Sequence, residues 1–326
     1  MSDAANAGTK PTTSTDRRQY TGLRNLSALD QPLALLLVVG GFLAVSTIIA
    51  KAAPGFGWHP LALLQWSVFG GALGLFVLTR LTGRKPSGER LGRAGNRSRL
   101  LVYLTVSGLL FIAPNMIAVV AAPVVGAGFV SLSFAFPLVL TYAFAVLLQI
   151  EKFQALRGGG VLFGLAGGVL LALSGANLAG EASLWSVFAL TIPVFLATGN
   201  IYRTLRWPVG AKPVDLALGM MATGFVALTA FNLLADVPTV PVSFSDQALA
   251  LLAAQTAIFT VQYGLYFRLQ QTAGPVYLSQ IGSVAAVIGL VLGYLVYGEV
   301  PNVEKLAAVI LVGLGIVLVT LGRRRS

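Results

Sequence analysis

The chain has 326 residues, of which 56% are hydrophobic and only 10% are charged. A soluble protein of this size carries about 25% charged residues, so most of this surface must face lipid rather than water. The absence of Cys excludes disulfides and thiol chemistry, a single His nearly excludes a His-based metal site, and the net charge of +11 points to nucleic acid only until its placement is considered.

Residues 1–31 are polar and rich in Ser, Thr, Ala and Gly, and they read as a disordered tail. Ala50-Lys51-Ala52 resembles a signal-peptide cleavage site, but the apolar run before it is too long and a Lys sits inside it. An uncleaved first helix is therefore expected. Ten apolar spans follow, at about 32–51, 60–79, 101–121, 128–149, 155–174, 183–203, 214–234, 247–269, 276–297 and 303–321. Pro123, Gly126 and Gly128 break spans three and four, and Gly274-Pro275 breaks spans eight and nine. The loop 80–99 mixes Gly, Pro and Ser with seven basic residues and reads as a mobile link. If both termini are cytoplasmic, 20 of the 22 basic residues fall on one face, and only Lys51 and Lys305 fall on the other. That distribution favours orientation in an inner (cytoplasmic) membrane over nucleic-acid binding.

Residues 126–174 align without gaps on residues 274–322, with ten identities in 49 columns, about twice the chance level for this composition. Glu151 falls on Glu299, and each is followed six residues later by a basic residue, Arg157 or Lys305. Five helices per copy is an odd number, so the second copy starts from the opposite side of the membrane. The expected fold is all-α and integral to the membrane: ten transmembrane helices as two inverted five-helix repeats, residues 32–176 and 182–322, around a central cavity. A basic end, 323–326, closes the chain.

Gly298-Glu299 before a Gly-rich last helix, Gly40-Gly41 ahead of Lys51 in the first, and Gly264-Leu265-Tyr266-Phe267-Arg268 in the eighth resemble the drug/metabolite transporters of the EamA-repeat type. The resemblance covers about residues 32–322. It implies the two-repeat fold and export of amino acids, other small metabolites or drugs. Repeat one keeps Glu151 but has Ile150 in place of the Gly, and Leu64-Gln65-Trp66 stands where the family usually has an Arg.

No acidic or basic residue falls near the centre of a span, where a charge costs about 2.5–3.5 kcal/mol. Neutral groups are left to contact a solute. Gln255, Phe259, Gln262 and Tyr266 lie along one face of span eight, with Tyr263 beside them. Their repeat partners in span three include Phe111 and, where Gln262 and Tyr263 align, Pro114 and Asn115. Pro114, Pro137 and Pro193 each free a backbone carbonyl. Thr141, Asn200, Gln280, Ser283 and Ser133 are further candidates for the cavity wall, with interhelical hydrogen bonding as the alternative role for all such groups. Glu151 and Glu299 read either as caps of the following helix or as gates, and Lys51 reads as a snorkelling end or a gate. The pairs Gly70/Gly74, Gly164/Gly168 and Gly289/Gly293 are spaced for close helix packing.

The pattern favours an alternating-access exporter whose partners are a small organic solute and the bilayer, with no enzyme activity, cofactor or metal. Spans five and ten read as scaffold or as the contact of a homodimer. A membrane-embedded enzyme on lipid-like substrates is the rival, although the 11 acidic residues form no cluster within a span. A non-transporting sensor or scaffold is the third reading.

Overall fold

The computed structural model describes residues 31–83, 94–176 and 180–323. The tail 1–30, the loop centre 84–93, the link 177–179 and the last three residues lie outside the described residues, and the expectations placed on them lie there too.

Helix accounts for 83% of the described residues, and no strand occurs among them. The segments are α1 (Pro32–Ala52), α2 (Pro60–Leu81), α3 (Ala94–Val125), α4 (Ala127–Ser133), α5 (Pro137–Leu147), α6 (Ala155–Ala176), α7 (Glu181–Ala189), α8 (Ile192–Leu205), α9 (Pro213–Leu234), α10 (Asp246–Leu278), α11 (Ile281–Tyr297) and α12 (Val303–Arg323). Among the described residues, seven helical stretches are long and apolar enough to cross a membrane: 32–56, 60–81, 97–125, 127–147, 183–205, 213–234 and 246–278. Two more, 155–171 and 281–297, are apolar but shorter.

The boundaries differ from expectation for local reasons. α3 begins at Ala94, so the last residues of the presumed loop 80–99 are helical. Gly274, at φ 77° and ψ 176°, is non-helical and divides α10 at the Gly274-Pro275 break read from the sequence; a second interruption, at Ser279–Gln280, leaves α11 short. The break at Gly126 is the expected one; spans four and six, expected to be continuous, are each split, and Pro137 and Pro193 open the second piece rather than freeing a carbonyl inside a helix. Gly126 has a φ of 99°, Pro137 opens α5, and Pro193 stands in the first turn of α8. A Pro costs nothing there, because the first-turn N–H groups have no intrahelical partner.

Two interrupted helices meet where the chain is irregular. A Cβ on Gly282, at the start of α11, would lie 1.5 Å from the Phe134 carbonyl oxygen between α4 and α5. α6 and α12 also pack backbone to backbone: a Cβ on Gly160 or on Gly315 would lie 2.7 Å from the other's carbonyl oxygen. Gly70 and Gly74 seat Thr256 and Thr260 of α10, Gly164 seats Val139, and Gly289 seats Ser131. The predicted glycine spacing thus serves close packing.

One buried apolar cluster joins the end of α3 to α4, α7, α11 and α12, and another joins α2, α3, α9 and α10. The seam between them is lined by α1, α3, α8, α10 and α11.

Gly282→Ala is expected to lower the thermal stability of the detergent-purified protein, because overpacking costs about 1–3 kcal/mol and the obstacle is backbone. Gly313→Ala, where a Cβ meets nothing within 4 Å, is expected to leave it unchanged. Melting curves of the two variants decide this.

Candidate functional site

The seam holds two small hollows in line. The larger, about 50 Å³, is bounded by Phe111 and Asn115 of α3, Gln262, Tyr263 and Tyr266 of α10, and Arg203 of α8. The smaller, about 20 Å³, lies between Ser46 and Thr47 of α1, Asn115, and Gln255 and Phe259 of α10. Leu43, Asn115 and Phe134 border both. A roomier hollow, about 600 Å³, lies elsewhere, in a groove along α2, α9 and α10 walled by Leu75, Leu78, Val261 and Leu265. Leu78 and Val261 are exposed on the outer surface of the bundle, so this groove is lipid-facing relief rather than an internal site.

Helix chemistry places the wall. Pro114 has no N–H to give the Leu110 carbonyl, and both residues border the hollow. One turn on, Asn115 Nδ2 donates to the Phe111 carbonyl at 2.7 Å. The face of α10 read from the sequence does line the seam. Phe111 and Phe259 meet the Tyr263 ring edge-on at 4.8 and 5.2 Å between centroids. Gln262 is buried and its Oε1 has no hydrogen-bond partner. Gln255 Nε2 donates to Ser46 Oγ at 3.0 Å, leaving its Oε1 unpaired.

A buried polar network closes one end of the seam. Ser279 Oγ donates to Thr141 Oγ1 (2.9 Å) and accepts from Asn200 Nδ2 (3.1 Å). Asn200 Oδ1 accepts from the Tyr266 hydroxyl (2.5 Å) and from an Arg203 guanidinium nitrogen (3.0 Å). Thr141, Asn200 and Tyr266 are thus brought together as a linked set. Pro137 is buried at the start of α5, away from both hollows, and Ser133 turns back to the Val130 carbonyl at 2.7 Å. Gln280 and Ser283 flank the α10–α11 turn and border neither hollow.

The other end is closed by charge. Lys51 Nζ pairs with Glu299 Oε1. The same carboxylate accepts the backbone N–H of Ala127 at 2.9 Å and of Gly128 at 2.8 Å, first-turn groups of α4 that have no partner within the helix. Glycines make room for it: a Cβ on Gly126, Gly128 or Gly293 would lie 3.1, 3.0 or 2.9 Å from the nearest Glu299 carboxylate atom. The Tyr297 hydroxyl donates to the Ile48 carbonyl at 2.9 Å, and Lys51 lies over its ring. Burial alone would raise the Glu299 pKa. The hydrogen bonds from Lys51, Gly128 and Ala127, together with the Lys51 charge, outweigh it and hold the carboxyl below its ordinary value.

Two expectations are corrected here. Glu299 caps α4 rather than the helix that follows it; Asn302 Oδ1 caps α12 by accepting the Lys305 N–H at 2.9 Å. Lys51 is an ion-pair partner, not a free snorkelling end. Glu151, by contrast, pairs six residues along with Arg157 (2.5 Å), which lies over the Tyr142 ring. The two matched glutamates therefore differ: one joins distant segments, the other braces a single helix corner.

The seam is also not free of charge. Arg203, assigned from the sequence to the end of span six, lies within α8 and is 2% exposed. Its position three residues after Asn200, on the same helical face, was the available signal. Gln65, standing where the resemblance leads one to expect an Arg, is buried and accepts a 2.6 Å hydrogen bond from Asn232, away from either hollow.

With this geometry in hand, known proteins can be compared. Residues 181–321 match the EamA-like transporter family. The EamA resemblance read from Gly298-Glu299 stands, and that family consists of membrane transporters of the drug/metabolite type. A solved structure described only as a crystal structure of a protein is similar over 91% of this chain and 100% of its own, with 19% identity and a TM-score of 0.61. At that identity the likeness speaks for the fold alone. No curated protein matches the chain significantly.

The chain has no Cys, so a thiol introduced as Ser46→Cys reports alone on the hollow beneath the charged end. In that background Glu299→Gln is expected to raise maleimide labelling by about tenfold, the change that ~1.4 kcal/mol of lost closure gives. With Glu299 intact, the labelling rate divided by the thiolate fraction at each pH is expected to stay constant from neutral pH down to about 5 and to rise only in stronger acid. A carboxyl whose pKa is lowered in the closed form contributes closure above its ordinary value of 4.5 and loses it as pH falls through the lowered one.

Proposed function

We propose that this chain is a secondary transporter that exports small organic solutes, such as amino acids, related metabolites or drugs, across the cytoplasmic membrane by alternating access. Ten crossings, arranged as two inverted five-helix repeats (32–176 and 182–322) with both termini cytoplasmic, are part of the same reading. The repeat is supported by how the helices pair. When the halves are exchanged, the α1–α11 packing becomes the α8–α5 packing, α2–α10 becomes α9–α3, and α6–α12 maps onto itself. The orientation is supported by the 20 basic residues on one face.

The observation that carries the proposal is the pair of hollows between α1, α3, α8 and α10, flanked at opposite ends by different chemistry. A carrier needs a site that opens to one side at a time. Here Lys51–Glu299 would shut the outer side and the Asn200–Tyr266 network the inner one. With about 50 Å³ of space, the larger hollow is the contracted, closed form of such a site. Asn115 and Gln262 would orient polar groups of the solute, while Phe111, Phe259 and Tyr263 pack on its apolar parts. α6 and α12 pack on each other and keep exposed apolar side chains such as Leu162, Val169 and Ile310 on their outer faces, which suits contact with lipid or with a second copy of the chain.

Proteoliposomes containing the purified protein are expected to show solute-dependent flux above empty liposomes for at least one member of a broad metabolite panel. Asn115→Ala and Gln262→Ala are expected to reduce that flux by about tenfold, roughly one hydrogen bond each in a dry site, with unchanged melting curves. Absence of flux across the whole panel would overturn the proposal.

A further inference from the structure

Arg203 is a buried cation with only neutral partners. Its guanidinium donates to Asn200 Oδ1 (3.0 Å) and to the Tyr266 hydroxyl (2.8 Å), and Nε has no hydrogen-bond partner. Neither the Lys51–Glu299 nor the Glu151–Arg157 ion pair involves Arg203. An arginine near a helix end can extend to the interface and keep its charge in water. This one turns inward to the wall of the larger hollow instead. Burying a cation without a counter-charge is costly, and hydrogen bonds to an amide and a phenol offset only part of that cost.

We infer that the missing counter-charge is supplied by the cargo: Arg203 is the seat of a carboxylate on the transported solute. This rests on the transporter reading of the same seam. A guanidinium presents a planar fork of N–H donors that matches a carboxylate. The 50 Å³ hollow beside it accommodates a carboxylate group but not the body of an organic acid, so the rest of the solute enters as the seam widens. The wall opposite the Arg is suited to that body. Phe111 and Tyr263 offer apolar ring surface, and the unpaired Gln262 Oε1 accepts a donor such as an ammonium or hydroxyl. No acidic side chain borders either hollow, so a cationic solute would meet an unopposed positive charge.

Ligand-induced shifts in melting temperature and proteoliposome uptake, measured separately, test this with acetate, 3-phenylpropionate and phenylalanine as carboxylate probes. The neutral amide 3-phenylpropanamide, the cation 2-phenylethylamine, and inorganic phosphate serve as comparisons. Wild-type protein is expected to bind at least one carboxylate on the order of tenfold more tightly than its amide or amine counterpart, as loss of a charge-assisted hydrogen bond in a dry site predicts. Arg203→Gln is expected to erase that preference, and Arg203→Lys, which keeps the charge but loses the fork, to retain part of it. The wild-type comparison needs no variant, so misfolding of Arg203→Gln leaves it decisive. Equal or tighter binding of the amide or amine, no binding of any of the three carboxylates, or a carboxylate preference that survives Arg203→Gln overturns the inference. Phosphate binding that exceeds every carboxylate overturns the carboxylate assignment. Binding of carboxylates without flux keeps the site but refutes transport; flux of neutral solutes with no anion preference keeps transport but refutes the site.

Discussion

Within a bilayer every backbone N–H and C=O must find a partner inside the protein, and this constraint determines where the chain can be irregular. The interruptions at Gly126 and at Phe134–Phe136 are packed against α11 and the turn that follows it. There the first-turn N–H groups of α4 reach the Glu299 carboxylate, and the Phe134 carbonyl comes so close to α11 that only a glycine fits at position 282. The seam exists because helices that must break can do so only against one another.

The two ends of the seam are held by different forces. At the Lys51 end, one carboxylate draws together the ends of α1 and α11 and the start of α4, combining an ion pair, a helix cap and a bed of glycines. Such a contact is strong when desolvated and readily exchanged for water when the segments separate. At the Arg203 end the links are neutral hydrogen bonds among Thr141, Ser279, Asn200 and Tyr266, with one cation left over. Charge is balanced at one end and unbalanced at the other.

Much of the candidate site was legible in residue spacing. The α10 face from Gln255 to Tyr266 follows from helical periodicity, and Pro114 marked the matching depth in α3. The glycine pairs announced close packing, and Thr256, Val139 and Ser131 occupy the places they leave. Glu299 and Lys51 were each singled out, but not as a pair. They are 248 positions apart, too far for any local spacing rule to link them.

The sequence by itself determined the all-helical membrane class, the breaks at Gly126 and Gly274 and the polar face of α10, because each depends on local composition or on a period of a few residues. Only the tertiary structure decided which carboxylate meets which cation, that spans four and six are interrupted ahead of Pro137 and Pro193, and that Arg203 turns into the seam rather than out to the interface. Those outcomes depend on the rotation and tilt of packed helices, which are set by contacts between segments far apart in the chain.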